Sequence, residues 1–285
     1  MELIQSKFLH HLGRIGIVLF FCISLTAHQA ANAADDKSNN SKPSIGSIIA
    51  EDYSSFYSKN RLTRLGIAFG LGAIAANSNI DMNIRNGYQD NVRSEKTNSW
   101  SSIEGTNLAF NAKFFGEGRY MIPVALLAAS VNYIDTDTAV GSWGANTSRA
   151  FIVGLPPMWA MQFATGAARP SHAAPEGSAW QPFNNKGYAH GVSGHAFVGA
   201  VPFITIAYMN PDNPYIKYPA YLASAAAGLS RINDDAHFPS QVVLGWYMAF
   251  EAVDAVFENN QKKKGLTVAP MAGFDGFGLM AHASW

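Results

Sequence analysis

Residues 193–209 read SGHAFVGAVPFITIAYM, an apolar run that begins directly after a serine. Strands usually end after about 4–8 residues, so the length of this run favours a helix. Ser193 occupies the position of an N-cap residue, whose hydroxyl accepts a hydrogen bond from the first turn. The stretch therefore predicts a helix that starts after Ser193, and this helix decides the fold class.

Similar apolar blocks flank this run, with polar connectors between them. They are rich in Ala, Leu, Gly and Met and too long for ordinary strands: Leu65–Ala76, Tyr120–Ile134, Ala150–Ala168, Tyr218–Leu229 and Phe238–Phe250. Together with Ala196–Met209 they predict an all-α protein, a helical bundle of about six core helices.

Composition narrows the class of protein. Of 285 residues, 48% are hydrophobic and 14% are charged, against roughly 25% charged residues in ordinary soluble domains. This combination excludes a mostly disordered chain. The formal net charge is 0, so no basic field indicates a nucleic-acid partner. The single cysteine excludes an intrachain disulfide framework and any multi-cysteine metal site.

The apolar blocks are short for membrane spans. A span needs about 17–25 apolar residues, and only Ala150–Ala168 reaches that range, with Pro156–Pro157 inside it. The mean hydropathy of the chain is +0.00. We therefore favour a bundle that packs on itself and rests on a membrane surface, with a multi-span protein as the alternative.

The N-terminus has the pattern of a secretory signal peptide over residues 1–33. Lys7 and Arg14 precede an apolar run at 15–26, and small residues stand at Ala31 and Ala33. A basic start, an apolar stretch and an A-x-A site are typical of export signals. We expect cleavage after Ala33 and a periplasmic or cell-envelope location, with an uncleaved membrane anchor as the alternative.

The remaining chain divides into three parts. Residues 34–46 are polar and rich in Ser, Asn and Lys, which predicts a disordered tether. Residues 47–264 form the helical domain. In residues 265–285, Asp275–Gly276 separates two apolar runs, which predicts a short C-terminal β-hairpin or extended tail.

Three short motifs lie in the helical domain. Arg169–Pro170 follows the block Ala150–Ala168, and Ser193–Gly194–His195 opens the next helix. Ser230–Arg231 is followed by five residues and then His237. Each motif alone is common at helix ends and turns, so the chemistry depends on their combination.

The residues of these motifs suit a phosphate group. The guanidinium groups of Arg169 and Arg231 match phosphate oxygens bidentately. The N–H of Gly194 lies at the start of a predicted helix, where anions bind. Of two histidines, one can attack phosphorus while the other protonates the leaving oxygen. The set predicts phosphoryl transfer without a metal or other cofactor.

In the order of these motifs the chain resembles the type 2 phosphatidic acid phosphatase superfamily. That signature is Lys-x6-Arg-Pro, then Pro-Ser-Gly-His, then Ser-Arg-x5-His-x3-Asp. The resemblance implies a helical bundle and a metal-independent phosphatase. It implies that His237 is the nucleophile, which forms a phosphohistidine, and that His195 is the general acid. It also implies these ligands of the phosphate and its transition-state charge: Arg169, Arg231, Ser193 and Gly194.

Three positions depart from the signature. Gln162 stands at the family's Lys, Val192 at the Pro of the second motif, and Gln241 at the final Asp. Gln162 is then an uncharged phosphate ligand. The amide oxygen of Gln241 can still accept from an imidazole N–H and orient the nucleophile, but it supplies no charge.

The resulting hypothesis is an exported phosphatase that hydrolyses phosphate monoesters or pyrophosphates, above all of lipids. One alternative is a non-catalytic or weakly active binding protein of the envelope on the same fold, because of Gln162 and Gln241. Another is a phosphotransferase, or a vanadate peroxidase like the family's haloperoxidase branch. The sequence leaves the particular phosphate ester and the oligomeric state open.

Overall fold

The bundle of helices that the apolar blocks predict is present. The computed structural model describes residues 44–101, 112–133, 138–172, 177–184, 188–264, 267–273 and 276–282. Its helices are α1 (Ile45–Phe56), α2 (Lys59–Ala76), α3 (Ile80–Asn91), α4 (Glu95–Ser101), α5 (Gly118–Ser130), α6 (Ala139–Thr165), α7 (Gly194–Met209), α8 (Pro214–Ser224), α9 (Ala226–Asn233) and α10 (Pro239–Lys264). Short 3₁₀ turns lie at Phe114–Gly116, Val131–Tyr133 and Pro170–His172. The all-helical prediction is confirmed for the bundle.

Helix α7 lies at the centre of the bundle, between α6, α8, α9 and α10. Phe197, Val201 and Ile204 are fully buried on it, as expected for a helix that is apolar on all sides. A side chain at Gly245 of α10 would lie 2.3 Å from the carbonyl oxygen of Ser193. Glycine at this position therefore lets α10 pack directly against the start of α7, where the second motif lies.

The structure corrects two details of the predicted helices. The block Tyr218–Leu229 is not one helix, because the chain breaks at Ala225 between α8 and α9. In addition, α3 and α4 form from polar stretches and α1 from a mixed stretch, and none of the three coincides with a predicted apolar block. In α3 only Asp81 is buried, so apolar composition gives no signal for this helix.

The two ends of the chain carry further predictions. The predicted signal peptide and residues 34–43 of the tether lie outside the described residues, and α1 starts at Ile45, just inside the predicted tether. At the other end, β1 (Thr267–Gly273) and β2 (Gly276–His282) pair antiparallel at the position of the predicted hairpin.

None of the helices in the described part of the chain combines the length and the apolarity that a bilayer crossing requires.

A buried ion-pair cluster joins α2 to α10. Arg61 is 2% exposed and donates from Nη1 to Glu251 Oε2 at 3.0 Å and to Asp254 Oδ2 at 2.5 Å. Its Nη2 donates to Glu258 Oε2 at 2.6 Å. The Glu251 carboxylate is fully buried, so it depends on protein partners for its charge.

The variant Arg61→Met is therefore expected to lower the free energy of unfolding by about 3 kcal/mol, because it breaks a buried ion pair and leaves the buried Glu251 carboxylate with Arg64 as its remaining cation. Denaturant unfolding measures this change. Arg93→Met, at an exposed arginine in the link between α3 and α4, is the matched control and should cost no more than about 0.5 kcal/mol. Equal losses for the two variants would show that the cluster does not stabilise the bundle.

Candidate active site

His237 lies in the turn that leads into α10 and is 4% exposed. Pro239 at the first helical position favours the helix start, since it has no N–H to leave unpaired. Gln241, two residues later, reaches back so that its Oε1 accepts from the Phe238 N–H at 3.2 Å, as in one half of a capping box. The same oxygen lies 2.8 Å from His237 Nδ1.

The bonds of Gln241 define the state of the imidazole. Its Nε2 donates to the Ala168 carbonyl at 2.8 Å, and its Oε1 accepts from Phe238, so the amide orientation is determined by the backbone at both ends. His237 Nδ1 must then carry the proton that it donates to Oε1. Nε2 is left with its lone pair, the state that a nucleophile requires.

Burial is the main reason that the pKa of His237 lies well below its usual value. The positive charges of Arg169 and Arg231 lower this pKa further, while the hydrogen bond that His237 donates to Gln241 opposes them. The ring is therefore neutral at neutral pH. A neutral ring beside two cations can approach a phosphate dianion and still act as a nucleophile.

Four hydrogen bonds join the segments that carry the three motifs. Gln241 contacts the first motif through Ala168, and the His190 N–H donates to the Ala167 carbonyl at 3.0 Å. The Ser193 N–H donates to the Gln241 carbonyl at 2.8 Å. Gln162 Nε2 donates to the Val192 carbonyl at 2.7 Å. Segments far apart in the sequence thus meet around His237.

Arg169 and Arg231 lie beside this histidine with unused donors. The Nε atoms of both are buried and have no hydrogen-bond partner among the described residues. Burial lowers the pKa of each guanidinium, and the positive charge of Arg231 lowers that of Arg169 further. Two neighbouring cations whose buried Nε atoms have no partner favour an anion between them, because an anion would offset both burial and repulsion.

The carbonyl of Arg231 also shapes the turn that carries the histidine. It accepts from the Ala236 N–H at 2.9 Å and from the His237 N–H at 3.2 Å. Arg231 Nη1 donates to Asp234 at 2.8 Å, and Asp235 pairs with Arg85 of α3. These two carboxylates therefore hold arginines in place beside the turn.

The start of α7 faces the same region. Ser193 is fully buried, and its Oγ accepts from the Ala196 N–H at 3.3 Å. A side chain at Gly194 would lie 3.7 Å from Gln162 Nε2. The residue at the family's Lys position is thus close to the helix N-terminus, where backbone N–H groups bind anions.

His195 has a partner that the sequence did not indicate. Its Nε2 lies 3.2 Å from Glu117 Oε1, and the two side chains are 28% and 20% exposed. A carboxylate can only accept, so Nε2 carries the proton. Burial and the charge of Arg231 lower the pKa of His195, while Glu117 raises it.

Helix α3 supports the turn before α10. The buried Asp81 accepts from the Ser240 N–H at 2.8 Å and from the Ser240 hydroxyl at 2.5 Å. Gln89 Nε2 donates to the Ile232 carbonyl at 2.6 Å. Neither α3 nor Glu117 could be assigned to the site from the sequence, because their contacts join residues that are far apart and carry no motif.

The described residues contain no group of three or more His, Cys, Asp or Glu side chains that could hold a metal ion. The arrangement instead offers a buried neutral histidine, a second histidine on a carboxylate, two arginines and a helix N-terminus. This set can bind a phosphate ester, attack its phosphorus and protonate its leaving oxygen.

Residues 147–264 match the family model of the PAP2 superfamily. The matched segment contains all three motifs and helices α7 to α10. It confirms the resemblance to the type 2 phosphatidic acid phosphatases. Proteins of this superfamily are generally phosphatases that act on phosphate esters. No curated protein and no solved structure has a significant similarity to this chain.

Proposed function

We propose that the protein is a metal-independent phosphatase that hydrolyses phosphate monoesters or pyrophosphates through a phosphohistidine. The observation that carries this proposal is the orientation of His237, whose Nδ1 is 2.8 Å from Gln241 Oε1. With the proton on Nδ1, Nε2 attacks phosphorus. The unused donors of Arg169 and Arg231 stabilise the charge of the transferring phosphoryl group.

The reaction has two steps. His237 Nε2 forms a bond to phosphorus as the bond to the ester oxygen breaks, and protonated His195 gives its proton to that oxygen. The neutral His195 then takes a proton from water, which attacks the phosphohistidine and releases inorganic phosphate. Gln241 can stabilise the cationic ring of the intermediate only as a dipole, so this intermediate is less stable than beside a carboxylate.

We further propose that the substrates are lipid phosphates, taken from a membrane surface outside the cytoplasm. Trp159 and Phe163 of α6 are 49% and 43% exposed, and Phe183 in the adjoining loop is 80% exposed. The Phe183 N–H donates to the Phe163 carbonyl at 3.3 Å, so the backbone of Phe183 lies beside the end of α6. Phe163 directly follows Gln162 in this helix, and exposed aromatics favour membrane interfaces.

A substrate panel tests the proposed activity. It contains phosphatidic acid, isoprenyl pyrophosphate and lipid A in vesicles, and p-nitrophenyl phosphate in solution, all with EDTA. We expect phosphate release that resists EDTA and is fastest on a lipid. If every substrate stays intact while the protein is folded, the catalytic proposal is wrong.

Vesicle flotation tests the membrane surface. The double variant Phe163→Ser/Phe183→Ser is expected to weaken vesicle binding about 10-fold or more, since each exposed aromatic contributes roughly 1.5–3 kcal/mol when buried. The matched control is Tyr215→Ser/Tyr218→Ser at the start of α8, beside the opposite end of α7. Equal losses for both pairs would contradict an orientation with the site against the lipid.

The binding-protein alternative is favoured by Gln162 and Gln241. It predicts that the chain binds inorganic phosphate or orthovanadate but releases none from the panel. In that case the double variant Gln162→Lys/Gln241→Asp should gain phosphatase activity. Activity in the unaltered chain contradicts this alternative.

A further inference from the structure

The second histidine of the site is joined to a carboxylate from a distant part of the chain. Glu117 lies between the 3₁₀ turn Phe114–Gly116 and α5. It is 78 residues away from His195 in the sequence. The bond between Glu117 Oε1 and His195 Nε2 measures 3.2 Å. Arg119 Nε lies 3.6 Å from the other oxygen, Glu117 Oε2.

Backbone packing holds this pair together. A side chain at Gly116 would lie 2.8 Å from the His195 carbonyl oxygen and 2.9 Å from its Cβ. Only glycine allows the turn to approach α7 so closely. The Glu117 N–H donates to the Phe114 carbonyl at 3.1 Å, which restricts the residue further. Glu117 is therefore presented to His195 by a rigid turn.

We infer that Glu117 is a positioning residue, which orients His195 and favours its protonated form, the proton donor of the reaction. This inference rests on the proposed phosphatase function. With Nε2 donating to the carboxylate, Nδ1 is the ring nitrogen left to serve the leaving oxygen. The proton passes from Nδ1 to that oxygen as the P–O bond breaks, and His195 becomes neutral. It recovers the proton from the attacking water in the second step.

The charges around His195 explain why such a carboxylate is needed. Arg231 and Lys113 both face the ring and disfavour its protonated form, and burial acts in the same direction. Glu117 is the group that opposes them. The nucleophile His237 thus has the uncharged Gln241 beside it, whereas the proton donor His195 has the carboxylate of Glu117.

The first test compares substrates with good and poor leaving groups. Glu117→Gln is expected to lower kcat/KM about 10-fold or more on an alkyl phosphate, whose leaving oxygen must be protonated. On p-nitrophenyl phosphate, whose leaving group departs as an anion, the loss should be under about threefold, because little general acid catalysis is required. Equal losses on both substrates would indicate a structural role and overturn the inference.

Controls separate the charge from the fold. Glu117→Asp, which keeps the charge, should recover part of the loss. Arg119→Gln removes the exposed neighbour of Glu117. It should change kcat/KM by less than roughly threefold on either substrate, as expected for a surface change. In a double-mutant cycle, Glu117→Gln should have no further effect once His195 is alanine. An undiminished effect in the His195→Ala background would contradict the inference.

A titration tests the pair even without catalysis. We expect the NMR-observed pKa of His195 to be lower in Glu117→Gln than in the unaltered protein. The alkaline limb of the pH–rate profile should move to lower pH in the same direction, because His195 must be protonated to act. An unchanged His195 pKa would overturn the inference whether or not the protein is a phosphatase, whereas inactivity with a shifted pKa would count only against the proposed function.

Discussion

Replacement of His237 by alanine is expected to lower phosphate release by about 10⁴-fold or more, as the loss of a catalytic nucleophile does in other hydrolases. The reason is geometric, because Nε2 of this ring is the atom that carries the free lone pair toward the two arginines. Initial rates on p-nitrophenyl phosphate and on the best lipid substrate measure the effect.

A binding experiment controls for misfolding. His237→Ala should still bind orthovanadate or inorganic phosphate, since the unused donors of Arg169 and Arg231 remain. Its thermal unfolding temperature should stay within a few degrees of the original, because a buried neutral imidazole is replaced by a smaller apolar group. A folded variant with more than about one hundredth of the original rate would exclude His237 as the nucleophile.

The variant Gln241→Leu has the second largest expected effect. The His237 Nδ1–H, the Phe238 N–H and the Ala168 carbonyl all lose their partner. We expect kcat to fall about 10²-fold or more, because nothing then fixes the imidazole tautomer. The free energy of unfolding should fall by about 1–3 kcal/mol through the unpaired buried groups.

A matched variant on the same helix separates these two effects. Asn259→Leu also removes a buried amide, whose Nδ2 donates to Asp52 Oδ1 at 2.9 Å, far from the site. It should cost a similar amount of stability and leave kcat unchanged. If both variants lose stability but keep their activity, Gln241 has only a structural role.

Much of the fold could be predicted from the sequence. The apolar block after Ser193 becomes α7, and the cap that Ser193 was expected to form is present, with its Oγ accepting from Ala196. The block Phe238–Phe250 lies within α10. Local features such as caps and apolar runs are visible in sequence because they act within a few residues.

The polar helices could not be predicted in this way. Helix α3 buries only Asp81, and its role is to support the turn before α10 through Asp81 and Arg85. Its stability therefore comes from tertiary hydrogen bonds and ion pairs, which composition does not indicate. The break at Ala225 also depends on tertiary packing, since it allows α9 to approach α7 and α10.

The candidate site was predictable to the extent that it consists of motifs. The expectation that the Gln241 amide can accept from an imidazole N–H agrees with its position beside Nδ1 of His237. Glu117 belongs to none of the three motifs, and it directly precedes α5. Its contact with His195 joins distant segments through the close approach at Gly116, which spacing along the chain does not show.

The most direct test of the account is a search for the covalent intermediate. The protein is mixed with ³²P-labelled p-nitrophenyl phosphate, quenched in alkali within the first turnover, digested and sequenced by mass spectrometry. We expect an alkali-stable, acid-labile phosphoryl group on His237 that is absent from His237→Ala. Phosphate release without any label on His237, or a label on another residue, would contradict it.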